Sequence, residues 1–503
     1  MYGSRAKIVM QRVLVLAFLL PALSAAQEMH DHPVPEKLGT VSFPTSCQSA
    51  VQPQFDRAVA LLHSFAYRPA EEAFNSVAAQ DPHCAIAHWG VAMTHFHQLW
   101  EPHLPPDGIS IAQKEIRLTE TFNAATERER GFIHALSLVF NDPAIPYSTR
   151  ASNYEAAMHD LARANPTDVE VQVFYALALI SNASPTDKTH FKQKQAIALL
   201  EPLYRELPNH PGIPHYLIHA CDSQELAPRG LAPARAYSRI APSAPHALHM
   251  PSHIFTRLGM WDDSIASNLA ARAAAHQQGD TGEELHAMDY LVYAYLQSGR
   301  DQQAAQVIQQ LSALQTLNMG DFKSGYAATV MPIRYIVERR QWREAENLSL
   351  PPASALPQIS ATAVWARGLG FARDGHPQEA RKQAEALRQI EATLRASGTD
   401  YWATQVNIMT REVLAWSAQA EGRSEEATAI LRTTADDEDG IEKLPVTPGP
   451  IIPAREQLGD LLLEQGNFAS ASSAFETALV NAPGRRGALQ GAARAAAKDS
   501  FQK

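Results

Sequence analysis

Apolar residues recur three and four apart along nearly the whole chain. Alanine-rich segments of 12–18 residues carry this spacing, and short turns holding Pro, Gly, Asp or Asn separate them. That period predicts helices with one buried face, whereas the alternation that marks strands is nearly absent. The chain is therefore expected to be all-α, a series of short helices joined by tight turns, and such regular punctuation predicts internal repeats. Near the C-terminus Gly459, Ala471, Phe475, Ala478 and Pro483 stand at the offsets of a helix-turn-helix unit of about 34 residues. Small residues let two helices approach closely, Phe475 fills the groove between them, and Pro483 stops the second helix. Ala70, Phe74 and Pro82 repeat those offsets. Looser copies run through 150–182, 193–227, 231–276, 284–316, 326–349, 360–397 and 402–434.

These units resemble the tetratricopeptide repeat (TPR) family over most of the chain, strongly at the two ends and loosely between. The resemblance implies a TPR-like right-handed α-solenoid of about eight to ten helical hairpins, with the first helix of each repeat lining a concave groove. Arrays of this family commonly bind extended peptides or partner proteins there. The run Met250-Pro251-Ser252-His253-Ile254-Phe255, with Arg257, Gly259 and Trp261, resembles a subgroup of exported bacterial TPR proteins. Pro82-His83-Cys84-Ala85 with Trp89-Gly90, and Asp289-Tyr290-Leu291, fit the same subgroup, which carries no established activity. Two segments interrupt the repeats. Residues 350–357 form a Pro-rich break. Residues 436–453 begin acidic (Asp436, Asp437, Glu438, Asp439) and end in Pro445, Pro448, Pro450 and Pro453, a non-helical insert able to lie across a face of the array or to stay solvated.

Three expected helices each carry a polar stripe. The stripes are His215, His219 and Asp222; His246, His249 and His253; and His286, Asp289 and Tyr293. Steps of three and four keep each stripe on one helical face, and the positions between (Leu217, Ile218, Ala247, Leu248, Ala287, Met288) are apolar. Pro214 and Pro245 precede the first imidazole of two stripes and suit a first helical turn. Two imidazoles at i and i+4 can grip one metal ion from a single turn, and His215/His219 and His249/His253 have that spacing. Pro251, inside the second pair, is expected to distort the helix and re-aim His253.

The expected ligands are His215, His219, His246, His249, His253 and His286. Asp222 and Asp289 are expected to bind the ion or orient a histidine, and Tyr290 or Tyr293 to donate a proton or hydrogen bond. Imidazole-rich ligation fits zinc, copper or iron, one or two ions, and argues against magnesium or calcium. The count of six matches the three-plus-three pattern of dinuclear copper centres without matching a motif. Zinc would point to hydrolysis, copper or iron to oxidation with dioxygen. The rival expectation is a metal-free scaffold binding peptides or partner proteins, its histidines serving as hydrogen-bond or pH-responsive groups.

Nineteen of the twenty histidines precede residue 290, which places function in the N-terminal half. His83, His88, His95, His97 and His103, flanked by Trp89 and Trp100, are expected to line the groove, with His63 extending that lining. His30 and His32 belong to a flexible arm.

Lys7 and Arg12 precede an apolar run, Val13 to Leu20, and Ser24-Ala25-Ala26 offers a cleavage site, the pattern of a secretory signal. No later run is long enough to span a bilayer. A periplasmic or extracellular location would let Cys47 and Cys84 pair, leaving Cys221 as a buried small hydrophobe or a further ligand. Net charge is −10, and −13 once the leader's three basic residues are removed, which argues against a nucleic-acid partner. The outline is a signal peptide (1–26), a flexible arm (27–46), a TPR-like half carrying the His-rich groove (47–316) and a C-terminal TPR-like half (317–503) with the insert near 436–453.

Overall fold

Helix pairs follow one another without a strand among the described residues. The structure is a computed structural model that describes residues 36–99, 104–122, 124–314 and 317–502. The expected signal peptide, His30, His32, Trp100 and His103 lie outside them. Among the described residues, twenty-four α-helices and one short 3-10 turn make a TPR-like array of helical hairpins. The hairpin contact has the expected cause. A Cβ added at Gly459 would sit 2.6 Å from the ring of Phe475, and one at Gly491 would sit 2.3 Å from it. Phe475 is fully buried between these two bare backbones. Phe74 meets Gly90 in the same way near the N-terminus.

The looser copies each hold two helices, with one exception. The segment 231–276 holds Ala227–Ile240, then Pro245–His249 and Pro251–Arg257, then Trp261–Gln278. Its middle helix is broken at Met250, where Pro251 supplies no N–H. Within Lys37–Lys503 the array turns back on itself. Trp261 donates from Nε1 to the Gly484 carbonyl (3.2 Å), and Arg485 reaches the Tyr293 hydroxyl (3.3 Å). A buried ion cluster locks this closure, with Arg485 on Glu456 (2.8 Å) and Glu338 (3.0 Å).

The expected insert is shorter than its sequence pattern. The acidic run stays helical to Asp439, because Arg455 pairs with Asp436 and Asp439 and relieves their repulsion. The irregular segment 440–453 then crosses the inner face. The Glu442 N–H donates to the Pro185 carbonyl, and the Glu442 carboxylate pairs with Lys188, His190 and Arg257. Cys47 and Cys84 form a disulfide, with Cα atoms 5.0 Å apart, that ties the N-terminal arm to the start of the array.

Candidate metal centre

Four helical segments bring the six expected histidines into one buried cluster. His215 and His219 come from Gly212–Ala220, and His246 and His249 from Pro245–His249. His253 comes from Pro251–Arg257 and His286 from Thr281–Gln297. Their grouping differs from the three stripes. The ligand nitrogens of His215, His219 and His246 lie within 4.8 Å of one another, as do those of His249, His253 and His286. The break at Met250 divides the middle stripe, sending His246 to one trio and His249 and His253 to the other. The trios adjoin, with ring centroids 6.0 Å apart for His219 and His253 and 6.1 Å for His246 and His249.

In four of the six rings the outward nitrogen has an acceptor, and this sets the tautomer. Asn268 donates from Nδ2 to the Ser264 carbonyl (2.8 Å), so its Oδ1 accepts from His249 Nδ1 (2.6 Å). Asp222 accepts from His253 Nδ1 (2.9 Å). Both Nε2 atoms therefore carry lone pairs, yet they stand 3.0 Å apart. His215 Nδ1 donates to the His63 carbonyl (2.6 Å), turning its own Nε2 to within 3.1 Å of His219 Nε2. His246 Nδ1 donates to Glu283 (3.3 Å). Acceptors behind ligating imidazoles are what a metal centre uses to hold ring orientation and raise basicity.

Burial disfavours the charged form of five of these rings. It pushes His215, His219, His249 and His286 well below the usual histidine range, helped by the neighbouring imidazoles. His253 falls to about 4 by burial, against the opposing pull of Asp222. Facing lone pairs repel unless a cation lies between them, and these rings resist the proton. An ion about 2.0 Å from each nitrogen would fit the gap at near a right angle.

Asp222 is itself buried. Burial raises its pKa, but Lys443 (2.7 Å), Arg257 (2.9 Å) and the His253 hydrogen bond outweigh that and hold it ionised, well below the usual carboxylate range. Glu283 is likewise ionised against its burial, through Lys323 at 2.7 Å and His246. Neither carboxylate is a ligand in either trio. Phe65 covers the first trio, its ring 4.4 Å from that of His215, on a backbone in the left-handed region at φ 52°.

The remaining candidates are placed differently from expectation. Tyr290 stacks on His253 (5.0 Å) and meets His249 edge-on (4.7 Å); its hydroxyl lies 3.5 Å from His253 Nδ1, and its single hydrogen is shared between the Thr447 (3.2 Å) and Pro445 (3.3 Å) carbonyls of the insert. Asp289 pairs with the buried Arg334 (3.3 Å), and Tyr293 with Arg485, so neither joins the imidazoles. Asp289, one helical step beyond His286, faces the next repeat, and Tyr293, two steps beyond, faces the closing C-terminal repeat. Cys221 is buried away from both trios, its thiol pushed up to about 12 by burial.

His63 does not extend the upstream lining. Its Nδ1 meets the Tyr216 hydroxyl (2.9 Å) and its Nε2 meets Glu170 (2.8 Å), which also receives His210 (2.9 Å). These hydrogen bonds occupy both ring nitrogens of His63 and fix the carbonyl that orients His215. His88 pairs with Glu115 (2.7 Å) and His97 packs on Tyr67 (4.1 Å). Asn268, Glu283, Lys443 and the His63 carbonyl were not foreseen. Glu283 lay three residues before His286 on the same face; the others gave no local signal.

No protein-family model matches this chain, and no curated protein matches it. Among solved structures it is similar to the human IFIT1 dimer with m7Gppp-AAAA, at TM-score 0.37 and 11% identity over 83% of this chain and 90% of that one. It is also similar to the TPR domain of P58(IPK), at TM-score 0.23 and 11% identity over 90% of this chain and 99% of that one.

Proposed function

We propose that this chain is an exported TPR-like metalloprotein whose six imidazoles hold a pair of transition-metal ions, three ligands to each. One observation carries the reading: His249 and His253 turn two unprotonated nitrogens toward each other at 3.0 Å while both of their N–H groups are committed elsewhere. Among zinc, copper and iron the ligand set favours copper. All six ligands are neutral imidazoles, so two ions in one dry pocket gain no charge from the protein, and low-charge ions with strong affinity for imidazole suit it best. A bound copper pair supplies activation of dioxygen for substrate oxidation. Asp222 and Glu283, the carboxylates hydrogen-bonded to these histidines among the described residues, are already tied to cations, which disfavours a carboxylate base for hydrolysis. Asn268, Asp222, Glu283 and the His63 carbonyl orient the rings, and Phe65 and Tyr290 exclude water. The leader pattern and the Cys47–Cys84 bond support export. No described helix is long and apolar enough to cross a membrane.

The rival reading is a scaffold binding peptides or partner proteins in the concave groove. The insert counts against it, because 440–453 already occupies the face beside the imidazoles. Elemental analysis of protein purified without a metal-affinity tag separates the two. We expect about two equivalents of transition metal per chain, and about one after H249A together with H253A, or after H215A together with H219A. A metal-free protein with peptide affinity unaffected by either pair would favour the scaffold.

A further inference from the structure

A cavity lies on the far side of the insert from the imidazoles, walled by Trp365, Tyr401, Trp402 and Tyr326 and floored by Glu412 and Glu438. Its lining holds four basic and four acidic side chains, but they are not partnered evenly. The basic groups that reach it are all paired: Lys188 with Glu442, Arg257 and Lys443 with Asp222, and Arg485 with Glu456 and Glu338. Among the described residues no lysine or arginine lies within ion-pair distance of Glu412 or Glu438.

Glu412 is 2% exposed and rigidly held. Its Oε2 accepts from the Trp365 indole N–H (2.6 Å), which can only donate. Its Oε1 accepts from Gln457 Nε2 (2.7 Å), and Gln457 is oriented by accepting on its own Oε1 from the Trp416 indole (2.9 Å). Two obligatory donors suit the ionised carboxylate. Burial works the other way and pushes Glu412 well above the usual range, with Glu438 adding to the shift and Trp365, Gln457 and Arg411 opposing it. Burial likewise raises Glu438 to about 7, helped by Asp439 and opposed by the Ala454 N–H, Arg485 and Arg455. The hydrogen-bond geometry and the solvation thus disagree, and a cation arriving from outside the chain removes the disagreement. Aromatic walls beside a desolvated carboxylate are what recognise organic cations.

We propose that this aromatic cavity is a binding site for a protonated organic amine, its ammonium against Glu412 and Glu438 and its apolar part against Trp365 and Trp402. The site does not depend on the metal pair. Arg257 and Lys443, which both bind Asp222, and Thr447, whose carbonyl meets the Tyr290 hydroxyl, connect it to the imidazoles.

The test is a calorimetric titration of the full chain with phenethylammonium, and with 2-phenylethanol as the neutral counterpart. Quenching of tryptophan fluorescence gives a second readout. We expect saturable binding of the amine, at least about tenfold tighter than the alcohol. Glu412→Gln is expected to remove most of that preference. Glu438→Gln sits at a half-buried position with a single backbone donor and should weaken the amine severalfold without threatening the fold. Metal content should be unchanged in both variants, so a failure here is distinguishable from a failure of the metal reading. No binding, equal affinity for amine and alcohol, or amine affinity untouched by both substitutions would overturn the proposal.

Discussion

Asn268 shows how much of this site depends on a residue that no sequence pattern marked. It lies mid-helix and fully buried, and its one free acceptor fixes the tautomer of His249. Asn268→Ala should leave His249 Nδ1 without an acceptor, weaken metal binding about 10- to 100-fold and cost about 1–3 kcal/mol of stability. Competition with a chelator of known affinity measures the first effect, and denaturant unfolding the second. The six clustered histidines, by contrast, were legible, because steps of three and four place imidazoles on a single helical face. What the spacing did not reveal is which stripe serves which trio. Asp289 and Tyr293 share their helix face with His286, yet they meet Arg334 from the next repeat and Arg485 from the C-terminal one. Periodicity reports a face and is silent about what stands opposite it.

Among the elements, the hairpins were the most readable, since Gly and Ala at the crossing and Phe in the groove form a steric code. Gly459→Ala should therefore cost about 1–3 kcal/mol, because the new methyl would press on Phe475, itself confined by Gly491. Thermal unfolding should show the loss while metal content stays constant, the site being in other repeats. The break at Met250 was foreseeable from Pro251, but its consequence, the division of one stripe between two trios, needed three dimensions. The insert was visible as a compositional anomaly; its docking was not, for Lys443 and Asp222 are 221 residues apart. Lys443→Met removes one of the two cations on a buried carboxylate. We expect 440–453 to become sensitive to limited proteolysis and metal affinity to fall about tenfold through His253.

At the scale of the molecule, the cluster sets a pH response. Five rings, His215, His219, His249, His253 and His286, are held below their ordinary 6.5 in the folded chain. The unfolded rings take up protons near 6.5 while the folded ones do not, so protonation favours unfolding. In metal-free protein the stability these rings contribute is complete above about pH 7 and declines as pH falls through 6.5 toward 4. The slope should reach about 1.4 kcal/mol per pH unit for each ring taking part. Chemical denaturation at a series of pH values checks this, and replacing His249 and His253 with Gln should flatten the curve. All-α architecture and repeats were evident from the sequence because they are local. The closure of the array on its C-terminal repeat, through Trp261, Arg485 and Arg486, was not, because it joins residues about 200 positions apart.

The most direct test of the metal pair is anomalous X-ray scattering from crystals of copper-loaded protein, recorded on both sides of the copper edge. The account predicts two peaks, one about 2.0 Å from ring nitrogens of His215, His219 and His246, the other at the same distance from those of His249, His253 and His286. Imidazoles free of any peak, or copper bound only at surface groups away from both trios, would contradict it.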